Sequence, residues 1–444
     1  MTTATPSRRP RVVIVGGGFG GLEAARGLRK APVDVTLIDR TNHYLFQPLL
    51  YQVATGLLSP ADIAAPTRFL LRRQKNAKVL MADVESIDPV GRVVRADGGR
   101  LEVPYDYLVV APGARHSYFG HPEWERLAPG LKTLADAREL RQRFLLAFED
   151  AEKSADPAEQ KALLTFVVIG AGPTGVELAG ILPEIAHRVI RTEFRRIDPT
   201  QARVLLLEGG PRVLPAFPEA LAERAHRDLE KLGVDVRTGA LVTAITPDAV
   251  SVGEERIPTR TVFWAAGNAA SPLIRSLGAK TDRAGRALVE SDLSLPGRPE
   301  VFVIGDAAAA ALLPGVDLPA GPSPQWVPGL AAAAEQMGAH AAKMIVRTLE
   351  NQPHRPFTYR NRGELAIIGR NKAVANFGKF TITGRFAFLT WLFVHLMLLV
   401  GFRNRVSVFL EWGYAYLTYR LGARLITDPE STRAARRAGD RSGG

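Results

Sequence analysis

The chain has 444 residues, 46% of them hydrophobic and 23% charged, with a formal net charge of +12 and no cysteine. That length provides for two or three domains with substantial cores and excludes a small binding module. The missing thiol excludes disulfides, thiolate metal sites, iron–sulfur clusters and thiol redox chemistry, and no metal site is expected; the positive balance, with no zinc-finger spacing or other nucleic-acid module, points to an anionic lipid surface and not to nucleic acid.

The first residues, MTTATPSRRPR, are basic and lack the apolar stretch of a signal peptide, so they read as a short polar arm on a cytoplasmic protein. RVVIVGGGFGGLEAARGL, Arg11 to Leu28, then runs from a buried strand through a glycine turn into a small-residue helix. Gly16 permits the tight bend, Gly18 lets backbone approach a pyrophosphate, and Gly21 lets the helix pack close to the strand, with Phe19 and Gly20 between them. The next strand, VDVTLID, ends at Asp39 and Arg40, where a carboxylate meets a ribose in dinucleotide sites. The segment from Thr41 to Pro60, with Gln47 and Tyr51, suits a loop and short helix lining a cofactor, or plain core packing beneath the first domain. KVLMADVESIDP and RVVRADG read as a small meander, and YDYLVVAPGA as a buried strand ending at the turn at Gly113.

Residues 137–162 read as an amphipathic helix fading into a polar connector, a domain boundary. The second glycine turn follows in TFVVIGAGPTGVELAG, Thr165 to Gly180, with Gly170, Gly172, Pro173, Thr174 and Gly175 repeating the first design. Its partner strand, ARVLLLE, ends at Glu208, about ten residues later than the template places it. TVFWAAG brings Gly267 to the position that Gly113 holds in the first half. PEVFVIGDAAA supplies one more buried strand ending in Gly305 and Asp306, a carboxylate placed either to bond a ribityl hydroxyl or to cap a helix. An alanine-rich helix, WVPGLAAAAEQMGAHAAKMIVRTL, has Gln336 as its polar exception and small residues that would let it approach a flat ring. Near the end, FAFLTWLFVHLMLLVGF is uncharged over 17 residues, the bottom of the transmembrane range, and is followed by Arg403, Arg405, Trp412, Tyr414, Tyr416 and Tyr419, interfacial chemistry.

Carried by GGGFGGLEAA, LFQPLLYQVATG, AGPTGVELAG, VFVIGD and the FVH to GFRNR run, the chain closely resembles the type II NADH:quinone oxidoreductases, or alternative NADH dehydrogenases, along nearly its whole length. The resemblance implies FAD in the first site, NADH in the second, and a membrane quinone reached through a membrane-bound C-terminal region. It places Glu177 beside the nicotinamide as a catalytic carboxylate, against the alternative of a first-turn acid facing the helix dipole. It places Gln336 beside the flavin and quinone, where the family usually carries a second glutamine at the position held here by Ala332. Quinone contacts are accordingly assigned to Gln47, Tyr51, Ala332 and Gln336, and Lys379 is a candidate to stabilise the reduced flavin. Glu208 should hold the ribose hydroxyls of NADH and repel the 2′-phosphate of NADPH.

The fold class expected is α/β, two Rossmann-like dinucleotide-binding domains plus a C-terminal membrane-associating helical region. The boundaries are 10–120 with 285–345 for FAD, 160–275 for NADH, 355–425 for the anchor, and 426–444 for a disordered basic tail. The activity expected is transfer of two electrons from NADH through FAD to quinone without proton pumping, on the cytoplasmic face of the membrane as a peripheral, monotopic protein; a homodimer is compatible with the sequence. Two alternatives stay open: a soluble FAD-dependent NAD(P)H reductase of a small carrier such as ferredoxin, and, given Ala332, a flavin-bearing membrane sensor with little turnover.

Overall fold

The chain is described here by a computed structural model covering residues 8–312 and 326–428, which form two compact units. The first gathers the chain up to Leu45, Ala65–Arg115 and Asn268–Arg362; the second gathers Phe46–Ala64, His116–Gly267 and the chain from Gly363. Each is built around a parallel sheet whose strands are nearly continuous runs of Val, Ile and Leu, the pattern of strands buried on both faces.

In the first unit the sheet order is Ser294–Leu295, Arg298–Val303, Tyr107–Val110, Arg11–Val15, Asp34–Asp39 and Ala77–Met81, parallel except at its first strand. The strand Arg298–Val303, which precedes the alanine-rich helix, therefore completes the sheet begun at Arg11–Val15, because Val301–Val303 pairs with Leu108–Val110. The alanine-rich helix, Ala331–Leu349, lies against the turn helix Phe19–Gly27. A methyl group on Gly338 would sit 2.1 Å from the Gly20 carbonyl oxygen, and one on Gly27 would sit 2.6 Å from the Ala342 side chain. The small residues Gly338 and Ala342 of this helix thus serve helix–helix packing.

In the second unit the order is Val234–Thr238, Arg203–Glu208, Thr165–Ile169 and Thr261–Trp264, all parallel. The segment read as an amphipathic helix fading into a connector does carry a long helix, and that helix packs into this unit's core. Leu134–Lys153 is a helix capped by Thr133, whose hydroxyl accepts from the Asp136 amide, and it buries Leu140, Phe144, Ala147 and Phe148. Phe144 and Phe148 pack on Phe166 of the central strand with ring centroids 4.9 and 5.5 Å away. The periodicity was legible; the tertiary partner was not.

Two further segments join this unit. The short helix Leu50–Ala54 packs on Leu134–Lys153, and the antiparallel strands Glu364–Gly369, Lys372–Asn376 and Thr381–Thr383 pack on the turn helix Pro173–Glu184. Gly180 makes that second approach feasible: a methyl there would fall 1.7 Å from the Ile368 carbonyl oxygen. The C-terminal region from Gly363 onward groups with the second unit.

The uncharged run does not form one long helix. Gly384–Leu398 ends where Leu399 turns extended and Gly401 takes φ +95°, and Phe402–Thr418 starts a new helix. No helix among the described residues is long and apolar enough to cross a membrane. Both helices turn Phe388, Trp391 and Val408 inward and leave Phe386, Leu389, Phe393, Phe402, Phe409, Leu410 and Leu417 exposed. The basic tail expected over 426–444 lies outside the described residues from position 429 onward.

Candidate functional site

The two glycine turns repeat one another atom for atom. The Gly16 amide donates to the Ile38 carbonyl at 2.8 Å, and the Gly170 amide to the Leu207 carbonyl at 2.7 Å. Both glycines have φ near +97°, and both Gly21 and Gly175 lie where a methyl would fall 1.8 Å from the oxygen of the turn's first glycine. Gly18 and Gly172, the residues before each helix, have nothing within 4 Å of where a side chain would begin. Neither helix has a side-chain cap or an acid in its first turn, so the first amides are left to an external anion, which is what a pyrophosphate needs.

The carboxylates closing each cradle are tied to it. Asp39 accepts from the Gly17 amide at 2.6 Å and from the Thr41 amide and hydroxyl at 2.7 Å. Glu208 accepts from the Ala171 amide at 2.7 Å through one oxygen and from the Gly210 amide at 2.7 Å through the other. Both Glu208 oxygens, and the Asp39 oxygen that meets Gly17, keep lone-pair capacity for a hydroxyl, so both cradles fit a ribose followed by phosphates. Arg40 is exposed beside the first, and Pro173 and Thr174 open the helix of the second. Gly113, Gly267 and Gly305 all adopt φ between +66° and +70°, so the strand ends turn as the sequence suggests. The Asp306 carboxylate faces bare Gly329, 3.1 Å from where a methyl would be.

A third site lies wholly within the second unit: a cavity of about 620 Å³ between the turn helix, the strand Glu364–Gly369 and the two C-terminal helices. Its walls are mainly Ile, Leu, Phe and Tyr, and they include the exposed Leu389, Phe393, Phe409 and Leu417. Its polar groups are few and deep. Glu177 begins the second turn of its helix, so it does not face the helix dipole; its carboxyl accepts from the Ile367 amide, and burial raises its pKa well above the usual range. What surface it keeps belongs to the cavity lining. Glu184, two turns along the same helix face, is also raised by burial, with Arg370 and Arg188 pulling the other way. Tyr51 is held protonated by burial and by the neighbouring Glu177.

Of the residues assigned to quinone from the sequence, Tyr51 lines this cavity and the others do not. Gln47 donates to the Lys132 carbonyl at 3.0 Å. Gln336, in the first unit, donates to the carbonyls of Ala332 and Arg360 and accepts from the Arg360 amide, each at 3.0 Å, so its amide braces the chain that follows its helix. Lys379 is exposed in the turn between Lys372–Asn376 and Thr381–Thr383. Sequence reading missed Gln52, Glu184 and Trp412 as cavity residues. Glu184 was recoverable, since Glu177, Ile181 and Glu184 share a helix face; Gln52 and Trp412 are 360 positions apart and carry no local signal.

Comparison with known proteins agrees with this geometry. Residues 10–338 match the pyridine nucleotide-disulphide oxidoreductase family, and residues 361–420 match the NDH2 C-terminal domain. The chain is 45% identical to the type II NADH:quinone oxidoreductase Ndh of Mycobacterium tuberculosis, covering 97% of this chain and 93% of that one. The chain belongs to the type II NADH:quinone oxidoreductase family. A second family member, NdhA of the same organism, is 46% identical over 94% of this chain and 90% of its own. The fold is that of NDH2 from Plasmodium falciparum, solved in complex with NADH: TM-score 0.84 at 20% identity, covering 95% of this chain and all of that one. The family is flavin-dependent, and a disulfide is not needed for it here, because this chain has no cysteine.

Proposed function

We propose that this protein oxidises NADH and reduces a membrane quinone, with FAD in the first cradle, NADH in the second, and the quinone head in the apolar cavity of the second unit. FAD, when bound, accepts a hydride from NADH and passes two electrons onward. The observation that carries the quinone assignment is the cavity's polarity: buried Glu177 and Tyr51 at depth, and exposed apolar side chains of the C-terminal helices in the same wall. A quinone is itself a polar head on an apolar tail.

The chain's own groups act as follows. Glu208 holds the ribose hydroxyls of NADH and opposes a 2′-phosphate by like charge. The free amides after Gly172 take the pyrophosphate. Tyr51 donates a hydrogen bond toward a quinone carbonyl, and Glu177, kept protonated by burial, holds a proton at its carboxyl for the oxygen that becomes a quinol hydroxyl. Reduction of the quinone consumes two electrons and two protons, one arriving with the hydride and one from solvent. The exposed faces of Gly384–Leu398 and Phe402–Thr418 lie in the cytoplasmic leaflet, with Arg403 and Arg405 among the headgroups, each worth about 1 kcal/mol near an anionic surface.

The ferredoxin-reductase alternative leaves both the cavity and the exposed apolar faces without a role. The deciding experiment places charge on the exposed face away from the cavity, Phe386→Glu with Leu410→Glu. Vesicle co-sedimentation and reduction of a long-tailed quinone should both fall, while a short-tailed, water-soluble quinone is reduced as before. Undiminished vesicle binding and long-tailed activity would refute the assignment.

A further inference from the structure

The Tyr51 hydroxyl stands in a chain of hydrogen bonds that begins on the last helix. The Trp412 indole N–H donates to Gln52 Oε1 at 2.7 Å, and Gln52 Nε2 donates to the Tyr51 hydroxyl at 2.8 Å. All three residues line the cavity, and Gln52 and Tyr51 are 2% and 4% exposed, so water does not compete freely for these bonds. The rings are fixed by packing. Trp391, fully buried, lies 5.8 Å from Trp412 and 6.3 Å from Tyr51, centroid to centroid, and stacks on His395 at 4.0 Å.

The direction of this chain follows from chemistry. An indole nitrogen donates and never accepts, so of the two orientations of the Gln52 amide only the one with its oxygen toward Trp412 avoids a donor facing a donor. Its NH2 group must then face Tyr51. A hydroxyl facing an N–H accepts, so the phenol's single proton points elsewhere than at Gln52. Without Trp412 the amide could turn over, and its oxygen would take the tyrosine proton for itself.

We infer that Gln52, its amide orientation locked by Trp412, is a positioning residue that reserves the Tyr51 proton for the ligand of the cavity. It makes and breaks no covalent bond. The lock spans the chain: Gln52 is on the short helix Leu50–Ala54, and Trp412 is on a C-terminal helix that also carries the exposed Phe409, Leu410 and Leu417. The inference rests on the quinone assignment proposed above.

The test measures two half-reactions on the full-length, FAD-loaded enzyme: bleaching of the flavin by NADH, and its reoxidation by a long-tailed quinone in H2O and D2O. Gln52→Glu is the decisive variant, since its carboxylate accepts from both Trp412 and Tyr51 and so draws the phenol proton away from the cavity. Reoxidation should slow about tenfold, the worth of one well-placed hydrogen bond, with flavin reduction unchanged. Tyr51→Phe should slow it to the same degree, and adding Gln52→Glu to Tyr51→Phe should cost nothing more, because Gln52 acts only through that proton. The solvent isotope effect of Gln52→Glu should match that of Tyr51→Phe. Trp412→Phe, which frees the amide without adding charge, should show a loss of a few-fold, and it guards against a Gln52→Glu protein that does not fold. Equal reoxidation rates in the parent, Gln52→Glu and Trp412→Phe would overturn the inference, as would independent, additive losses from Gln52→Glu and Tyr51→Phe. Those results leave the quinone assignment intact if Glu177→Gln still slows reoxidation; if Glu177→Gln and Tyr51→Phe are also silent, the assignment itself fails.

Discussion

The two glycine cradles share the turn's bond to the next strand, the close packing of the third glycine and a carboxylate on a turn amide, and they differ in what the far side of each turn helix does. In the first unit that side is Gly20, Ala24 and Gly27, closed against Gly338 and Ala342 of the alanine-rich helix. In the second it is Glu177, Ile181 and Glu184, open to a cavity, with Gly180 admitting the strand Glu364–Gly369 alongside. One motif therefore appears once as a holder and once as a holder with a reactive back. A helix that is packed shut suits a ligand that stays, and a helix with buried carboxyls facing space suits chemistry on a second molecule.

The sharpest break of this difference is Gly180→Ala. Its methyl collides with backbone that no side-chain rotation can move, so the wall Glu364–Gly369 must shift, at a cost of about 3 kcal/mol or more. Thermal unfolding should fall by many degrees and quinone reduction should be lost, whereas Gly172→Ala at the same helix's start should unfold like the parent. At Gly172 and Gly18 the space beside the glycine is open and φ is near −70°, which any residue adopts. The added methyl there blocks the approach of phosphate, so Gly18→Ala should purify with little flavin and Gly172→Ala should raise the KM for NADH roughly tenfold or more.

Glu177→Gln tests the reactive back of the second helix. Replacing a proton-holding carboxyl should slow flavin reoxidation by quinone about a hundredfold and leave flavin reduction unchanged. Stability should move the other way. Burial raises the folded pKa of Glu177, so its neutral form favours the fold fully below the ordinary carboxyl pKa, and that contribution is lost as pH rises toward the raised value. The Gln variant has no such loss and should be the more stable protein at neutral and alkaline pH, by urea titration at several pH values. His395 supplies the opposite slope: burial pushes its pKa down to about 4, so its contribution is present above about 6.5 and is lost as pH falls from there to 4.

What could be read from the sequence was what recurs locally. Glycine turns, β-branched runs and the carboxylates Asp39 and Glu208 all announce themselves within forty residues, and the structure puts each in its cradle. The cavity could not be read in this way, because its polar end joins Tyr51, Glu177, Ile367 and Trp412 from four distant stretches. The uncharged run misled in length: its helix stops at Leu398 because Leu399 and Gly401 leave helical backbone, a break that hydropathy does not register. The Gln336 amide is engaged by the Arg360 backbone, a partner 24 positions away that no local pattern announces.

The smallest effect expected, and the one that compares the cradles directly, comes from their carboxylates. Glu208 accepts one turn amide on each oxygen, from Ala171 and Gly210, before any ribose is present. Glu208→Gln keeps one of these bonds and turns an NH2 toward the other amide, donor against donor, while it also removes the charge that repels a 2′-phosphate. NADH binding should weaken a few-fold from the loosened turn, and the preference for NADH over NADPH should narrow by about tenfold from the lost repulsion. Asp39 has the same bond to Gly17 but takes the Thr41 amide and hydroxyl on its other oxygen, so Asp39→Asn keeps the Gly17 bond on its remaining oxygen and sets its NH2 against the Thr41 amide, donor against donor, while the Thr41 hydroxyl can reverse. Flavin affinity should therefore weaken by a similar few-fold factor. Competition titrations with NADH and NADPH, set beside flavin-to-protein absorbance ratios, measure both, and clearly unequal losses on the two sides would show that the two cradles are not held by their carboxylates to the same degree.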